Sequence, residues 1–97
     1  MNRQPKIAVL LATYNGAEFL AQQLDSILQQ TWSNLVIVIR DDGSTDNTGE
    51  LIRAAASENP DRVCRVEVDG AHAGAKNNFS DLIEYVLEHK VQLGLER

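Results

Sequence analysis

Two adjacent carboxylates, Asp41 and Asp42, end the apolar run of the segment VIVIRDDG. Two like charges at the end of a buried strand repel each other and lose solvation, so the pair is costly unless something uses it. Ionised carboxylates accept hydrogen bonds, and this pair could bind the N–H groups or hydroxyls of a ligand. The alternative is a solvated Asx-type turn that caps the next helix, because Gly43 and several small hydroxyl residues follow.

A second polar loop, TYNG at residues 13–16, interrupts the first apolar run of the chain. The ring of Tyr14 could stack on a flat base, and Asn15 tolerates the backbone geometry of a tight turn. A tyrosine that is only partly packed against the protein is the simpler alternative. This loop alone therefore predicts a stacking surface without identifying its ligand.

The third loop, DGAHAGAKNN at residues 69–78, combines glycines with a cation. Gly74 would let the backbone approach a ligand closely, and Lys76 carries a point charge suited to phosphate. If a helix begins near Ala75, its N-terminal N–H groups add a partial positive charge. A solvated surface lysine is the alternative interpretation of Lys76.

The spacing of these residues argues against several known ligand loops. A P-loop needs a glycine-rich run that ends in Lys and Ser or Thr, and DDGST lacks it. An EF-hand needs a glutamate at a fixed distance that this loop does not supply. A dinucleotide site of the NAD type is disfavoured because no G-x-G-x-x-G follows the first apolar run.

The elements that must position these loops alternate along the chain. Continuous apolar runs predict strands, and residues 17–30 and 75–88 show the three-to-four-residue spacing of amphipathic helices. The predicted strands cover residues 6–12, 34–39 and 63–68, and the predicted helices cover 17–30, 47–56 and 75–88. The β-α-β-α-β-α order predicts an α/β fold with a Rossmann-like parallel sheet and right-handed crossovers. All three loops then follow strands at the carboxyl edge of the sheet, where such folds bind ligands.

Local patterns set the expected ends and faces of two helices. Asp46 or Thr45 is the predicted N-cap of the second helix, with Glu50 placed for a capping box. The last helix shows an apolar stripe at helical spacing. The stripe consists of Phe79, Leu82, Ile83, Val86 and Leu87.

Composition restricts the class of protein and of partner. The 97 residues suffice for one small domain, for which we expect an irregular tail at residues 89–97. The net charge of −5 and the lack of a Lys/Arg cluster argue against nucleic acid as a partner. Cys64 is the single cysteine, so no internal disulfide can form. The apolar run at residues 7–12 is too short for a membrane span or a signal peptide, and we expect a cytoplasmic protein.

The segment KIAVLLATYNGAEFLAQQLDSILQQTW followed by LVIVIRDDGSTDNT resembles the start of family 2 glycosyltransferases, and the resemblance extends over about residues 6 to 88. It implies the GT-A fold of nucleotide-diphospho-sugar transferases. The form RDDGS followed by GAKNNFSDLI looks most like bacterial transferases that build surface polysaccharides, including rhamnosyltransferase-like members. Complete members are implied to transfer a glycosyl group with inversion to a saccharide or lipid-linked acceptor, in the cytoplasm or at the inner face of the membrane.

The resemblance also implies a set of nucleotide-binding positions in this sequence. They are Ala12, Thr13, Tyr14, Asp41, Asp42, Gly74, Lys76 and Asn77. In the family pattern, Tyr14 stacks on a pyrimidine and Asp42 accepts from the base N3–H, with Asp41 ordering the loop beside it. The last three positions match a loop that closes over the base and the diphosphate. A donor of the UDP or the dTDP type is expected, because uracil and thymine present the same N3–H edge.

The family pattern continues with a D-x-D motif that binds Mg²⁺ or Mn²⁺, and these 97 residues contain none. The adjacent Asp41 and Asp42 do not match that metal site, and no position matches the catalytic base. We therefore expect a nucleotide-binding front part of a transferase with little or no turnover by itself. A non-catalytic nucleotide-binding or regulatory module and a purely structural α/β module are the competing hypotheses.

The family's sheet order is 3-2-1, with a later strand beside the first. Without that strand, the run IAVLLA at residues 7–12 would be an exposed edge that is apolar on both faces. Open edges of this kind pair with other chains. The resulting expectation is a homodimer or a swapped assembly through the first strand or the last helix.

Overall fold

The computed structural model describes residues 5–30, 34–66 and 75–95, without the side chains of residues 75 and 76. Strands and helices alternate in the order predicted from the hydrophobic pattern. The elements are β1 (Ile7–Thr13), α1 (Ala17–Leu28), β2 (Leu35–Asp41), α2 (Thr48–Glu58), β3 (Val63–Val66) and α3 (Ala75–Glu88). The predicted α/β class is confirmed, and the bounds of α3 agree with the prediction at both ends.

The three strands form a parallel sheet in the order β1-β2-β3. β2 lies in the middle and is buried along nearly its whole length, as its continuous apolar run predicts. β1 is mostly half-buried, because it forms one edge of the described sheet. The pairing of β1 with β2 continues to Thr13 opposite Asp41, so β2 extends two residues beyond its predicted end.

The two faces of the sheet are covered by different helices. Successive side chains of a strand point to opposite faces, so β2 contributes to two apolar clusters. On one face, its side chains pack with those of α1 and α2, and the cluster is Leu20, Leu24, Leu35, Ile37, Ile39, Ile52 and Val63. On the other face, the cluster is Val36, Val38, Val66, Leu82, Val86 and Leu93, so α3 and the turns that follow it cover this side.

The apolar stripe predicted for α3 is only partly buried. Leu82 and Val86 face the core, whereas Phe79, Ile83 and Leu87 are exposed. The buried line instead continues one turn toward the N-terminus through Asn78. A periodic pattern identifies residues that share a stripe, but the angle at which the helix docks decides which edge of the stripe is covered.

The predicted capping of α2 was wrong in its details. Asn47 occupies the N-cap position and makes no side-chain capping bond. Asp46, one residue earlier, nevertheless accepts a hydrogen bond from the first helical N–H, that of Thr48 (3.0 Å). Within the ranges described above, no helix has both the length and the apolar character needed to cross a membrane.

Candidate functional site

The carboxyl ends of β1 and β2 bring the first two polar loops into direct contact. The strand register places Thr13 opposite Asp41. The Thr13 hydroxyl donates a hydrogen bond to Oδ1 of Asp41 (2.7 Å), and the N–H of Asp42 donates to the carbonyl of Thr13 (2.9 Å). Thr13, Tyr14, Asp41 and Asp42 therefore lie on one edge of the sheet, as the sequence predicted. We call this edge, formed by the carboxyl ends of β1 and β2 and the loops that follow them, the rim.

The Asp41 carboxylate organises the loop that follows β2. Its Oδ1 accepts from the Ser44 hydroxyl (2.6 Å), and its Oδ2 accepts from the Ser44 N–H (2.9 Å). Gly43 has a φ of +75°, a left-handed conformation that glycine adopts without steric penalty and that lets the loop turn back on Asp41. Because its oxygens already bind Thr13 and Ser44, Asp41 is held in place by the protein itself.

Asn15 connects the two loops. Its φ of 49° is left-handed, a region that asparagine tolerates better than most residues. Its side-chain Oδ1 accepts from the N–H groups of Thr45 (2.8 Å) and Asp46 (3.4 Å), and its own N–H donates to Oγ of Ser44 (2.7 Å). The backbone that carries Tyr14 is thereby fixed to the loop after β2.

Thr48 and Asp46 complete this connection below the rim. The fully buried hydroxyl of Thr48 donates to Oδ1 of Asp46 and accepts from the N–H of Gly16 (3.0 Å). Oδ2 of Asp46 accepts from the N–H of Ala17 at the start of α1 (3.3 Å). The hydrogen bond from Thr48 is the main cause that lowers the pKa of Asp46 from its usual value of 3.8. Asp46 thus joins the starts of α1 and α2, beyond the capping role predicted from the sequence.

The predicted binding residues differ in their exposure to solvent. Tyr14 is about half exposed (48 %) on the rim, whereas Asp42 is fully buried (0 %) and lies 3.9 Å from the Arg40 guanidinium. Asp41 is half-buried and Ala12 is exposed. Their contacts with a nucleotide stay predictions.

The third loop contributes only its helical end to the described structure. Asn77 is exposed in the first turn of α3. Lys76 belongs to the same turn, but its side chain lies outside the described part of the chain, and Gly74 lies outside it entirely. The predicted proximity of these two residues to a diphosphate is therefore still a prediction.

A buried polar group joins α3 to the ends of both strands. Nη1 of Arg40 donates to Oδ1 of Asn78 (2.6 Å), and Nδ2 of Asn78 donates to the carbonyl of Thr13 (3.2 Å). Nη2 of Arg40 also lies 3.3 Å from Oδ2 of Asp81, which is half exposed. The two hydrogen bonds of Asn78 place the first turn of α3 against the same rim as Thr13 and Asp42.

Sequence reasoning missed the supporting residues of this rim, namely Arg40, Ser44, Thr45, Thr48 and Asn78. One of them carried a recognisable signal, since Arg40 is a charged residue at the end of an otherwise apolar strand. The others form hydrogen bonds between segments about 30 or more residues apart, so their partners depend on the strand register and on helix docking.

The described residues do not fit a metal ion. Among residues 5–30, 34–66 and 75–95, no three or more His, Cys, Asp or Glu side chains are grouped to hold one. The two acids of the rim are also unsuited, because Asp41 accepts three hydrogen bonds from Thr13 and Ser44 and Asp42 is buried beside a guanidinium. No chemical step at this site is therefore attributed to a metal held by these residues.

Comparisons with known proteins find a family model, curated relatives and a solved structure that are similar to this chain. The sequence model described as "Glycosyl transferase family 2" matches residues 8–87. The chain is 42 % identical over 72 residues to glycosyltransferase GlyG of Streptococcus pneumoniae, covering 73 % of this chain and 24 % of that protein. It is 36 % identical over 77 residues to the hyaluronan synthase of Pasteurella multocida, covering 79 % of this chain and 8 % of that protein.

A solved structure shares the fold. It is the mannosyltransferase PcManGT from Pyrobaculum calidifontis in complex with GDP-Man and Mn²⁺, with a TM-score of 0.72 and 28 % sequence identity. The match covers 86 % of this chain and 25 % of that protein. The chain thus spans a quarter or less of the length of each of these relatives.

Proposed function

Because the chain belongs to glycosyltransferase family 2 and has the α/β fold of a GT-A glycosyltransferase, we propose that it binds the nucleotide of a nucleotide-diphosphate sugar. In the complete enzyme, the glycosyl group passes with inversion to a saccharide or lipid-linked acceptor in cell-surface polysaccharide synthesis. The hyaluronan synthase among the relatives, an enzyme named for a polysaccharide product, supports this pathway. A hexosyl or rhamnosyl group is the proposed transferred group.

One observation carries the proposal: an aromatic ring and two carboxylates lie on one rim, and the protein itself fixes their backbone. Tyr14 is on the rim with half of its surface exposed, a suitable position for stacking on a base. The N–H of Asp42 is tied to Thr13, the residue before Tyr14. A site whose loops are already ordered binds ligand without first having to order those loops.

The proposed nucleotides are UDP and dTDP. In this proposal Asp42 accepts from the N3–H of the pyrimidine, Tyr14 stacks on its ring, and Thr13 and Ala12 line the same edge. Gly74, Lys76 and Asn77 lie near the diphosphate, where a cation and helical N–H groups attract negative charge. The neighbouring structure holds a guanosine nucleotide, so GDP belongs in any test of base selectivity.

A thermal-shift panel of UDP, dTDP, GDP and ADP, each with and without Mn²⁺, tests the proposal. A ligand present at a hundred times its Kd adds about 2.7 kcal/mol to the free energy of unfolding. We expect the largest shift with UDP or dTDP and its loss in Tyr14→Ala. Phe19→Ala is the matched control, since Phe19 is also an exposed aromatic residue but belongs to α1 and not to the loop that carries Tyr14. A panel without any shift would exclude nucleotide binding by this chain.

Turnover by these 97 residues is expected to be slight or absent. The similar solved structure is a complex with GDP-Man and Mn²⁺, whereas these 97 residues contain no D-x-D motif. Mg²⁺ or Mn²⁺ in complete enzymes neutralises the leaving diphosphate. A transfer assay with radiolabelled UDP- and dTDP-sugars should therefore give no more product than the protein-free control, and clear product formation would refute this part of the proposal.

We also propose that the chain associates with a second copy of itself. β1 is an edge of the described sheet, and α3 exposes Phe79, Ile83 and Leu87 along one side. Unpaired strand edges and contiguous apolar surfaces both favour association. Sedimentation velocity at increasing concentration should show a dimer that weakens in Phe79→Ser/Leu87→Ser, and a monomer at all concentrations would contradict it.

A second candidate function is a non-catalytic nucleotide-binding or regulatory module that uses the same rim. Measurable nucleotide affinity in a naturally short protein would favour it over the enzyme. A longer reading frame with D-x-D after residue 97 would instead favour the enzyme. We place either protein in the cytoplasm, with longer enzymes at the inner face of the membrane, and cell fractionation tests that location.

A further inference from the structure

Four residues form a closed polar ring between β1, β2 and α3. Arg40 donates to Asn78, Asn78 donates to the carbonyl of Thr13, and the N–H of Asp42 donates to the same carbonyl. The ring closes where Nη1 of Arg40 lies 3.9 Å from Oδ1 of Asp42. Arg40, Asn78 and Asp42 are each more than nine-tenths buried.

The ring includes a polar residue, Asn78, at a position of α3 where the helical pattern would also allow an apolar side chain. Asn78 lies one turn before Leu82 and two turns before Val86, on the buried line of α3. Buried polar groups of this kind contribute little net stability compared with well-packed apolar residues, but they define geometry because hydrogen bonds are directional. A role in geometry therefore explains the ring better than a role in stability.

The ring joins the segments that supply the proposed nucleotide site. Thr13 precedes Tyr14, Asp42 is itself a proposed contact, and Asn78 follows Asn77 in the first turn of α3. The planar guanidinium of Arg40 has donors in fixed directions, which suits it to hold α3 and β2 at one relative position. A shift of α3 along the sheet would break the bonds of Asn78 to both strands.

We propose that Arg40 and Asn78 are positioning residues, which set nucleotide affinity by holding α3 in register with the ends of β1 and β2. Neither residue needs to touch the nucleotide. The inference rests on the proposed nucleotide binding. It adds two residues that would affect the affinity of the site without contacting the nucleotide.

Two substitutions break the ring from opposite sides. Asn78→Leu keeps the branched shape of the side chain, extends the apolar line of Leu82 and Val86, and removes both hydrogen bonds. Arg40→Lys keeps a positive charge beside Asp42 but loses the planar donors. Asp81→Asn is the matched control, because it alters the half-exposed partner of Arg40 and leaves the ring complete.

Calorimetric titration with UDP, together with urea unfolding of each variant, tests the inference. Asn78→Leu and Arg40→Lys should each raise the Kd for UDP by about tenfold or more, since small displacements of binding groups have effects of at least this size. We expect Asn78→Leu to lower the unfolding midpoint, because Nη1 of Arg40 loses its acceptor, but to remain folded under the conditions of the titration. Asp81→Asn should bind UDP within about twofold, as for a partly solvated ion pair.

The possible failures are distinguishable. If the original chain binds UDP and both ring variants bind it equally well, the positioning role is wrong while the proposed function stands. If both variants lose their fold, the ring acts in stability, which also overturns the inference. If the original chain binds none of UDP, dTDP and GDP, the proposed function itself fails, and the inference fails with it.

Discussion

The left-handed backbone at Asn15 gives the sharpest test of the rim. Asn15 has a φ of 49°, and its side chain accepts from two N–H groups of the neighbouring loop. Asn15→Gly removes these hydrogen bonds but keeps a residue that adopts this backbone freely, and the expected loss is about 1 kcal/mol. Asn15→Ala also places a Cβ in a disfavoured conformation and should lose about 1 kcal/mol more. For a domain of this size, each kcal/mol lowers the Tm by about 4–8 °C.

Gly43→Ala is the matched measurement of backbone strain alone. Gly43 has a φ of +75°, and a Cβ built there meets nothing within 4 Å. The free energy of unfolding that Gly43→Ala loses should therefore equal the difference in that free energy between Asn15→Ala and Asn15→Gly, all measured by urea unfolding. If the two variants at position 15 are equally stable while Gly43→Ala is destabilised, residue 15 is not left-handed and our account of how Tyr14 is held is wrong.

Three further predictions concern the support beneath the rim and the core. Thr48→Val leaves the N–H of Gly16 without its acceptor and should lower the free energy of unfolding by about 1–3 kcal/mol. The control Thr45→Val, at an exposed position, should change this free energy by less than about 0.5 kcal/mol. Urea unfolding of both variants measures the difference. The pKa of Asp46 is lower in the folded protein than its ordinary value of 3.8, so ionised Asp46 stabilises the fold above pH 3.8. This contribution disappears as the pH falls through the pKa of the folded state. Unfolding midpoints measured from pH 6 to pH 2 should therefore depend less on pH in Asp46→Asn. Ile52→Ala empties a site that is 1 % exposed and should lower the free energy of unfolding by about 2–5 kcal/mol. Val91→Ala, at an exposed position after α3, should leave the Tm nearly unchanged in a thermal melt.

Most of the fold followed from the sequence because its apolar patterns are strong and short-range. The run LVIVI predicts a strand that is buried on both faces, and β2 is that strand. The period of α3 predicted both of its ends. Its docking angle was not predictable, because Asn78 is buried only where Arg40 and Thr13 supply its hydrogen-bond partners. Those partners lie 38 and 65 residues away in sequence.

The two adjacent acids show why motif letters do not assign roles. By residue type and position alone, Asp41 and Asp42 are equivalent neighbours, and only the family resemblance implied different roles for them. The alternation of side chains along a strand separates them, so Asp41 lies toward Thr13 and Ser44 while Asp42 lies toward Arg40 and α3. Each acid therefore belongs to a different supporting network. A perturbation of α3 should then reach the proposed nucleotide site through Asp42, and a perturbation of the loop after β2 should reach the proposed site through Asp41 and Asn15.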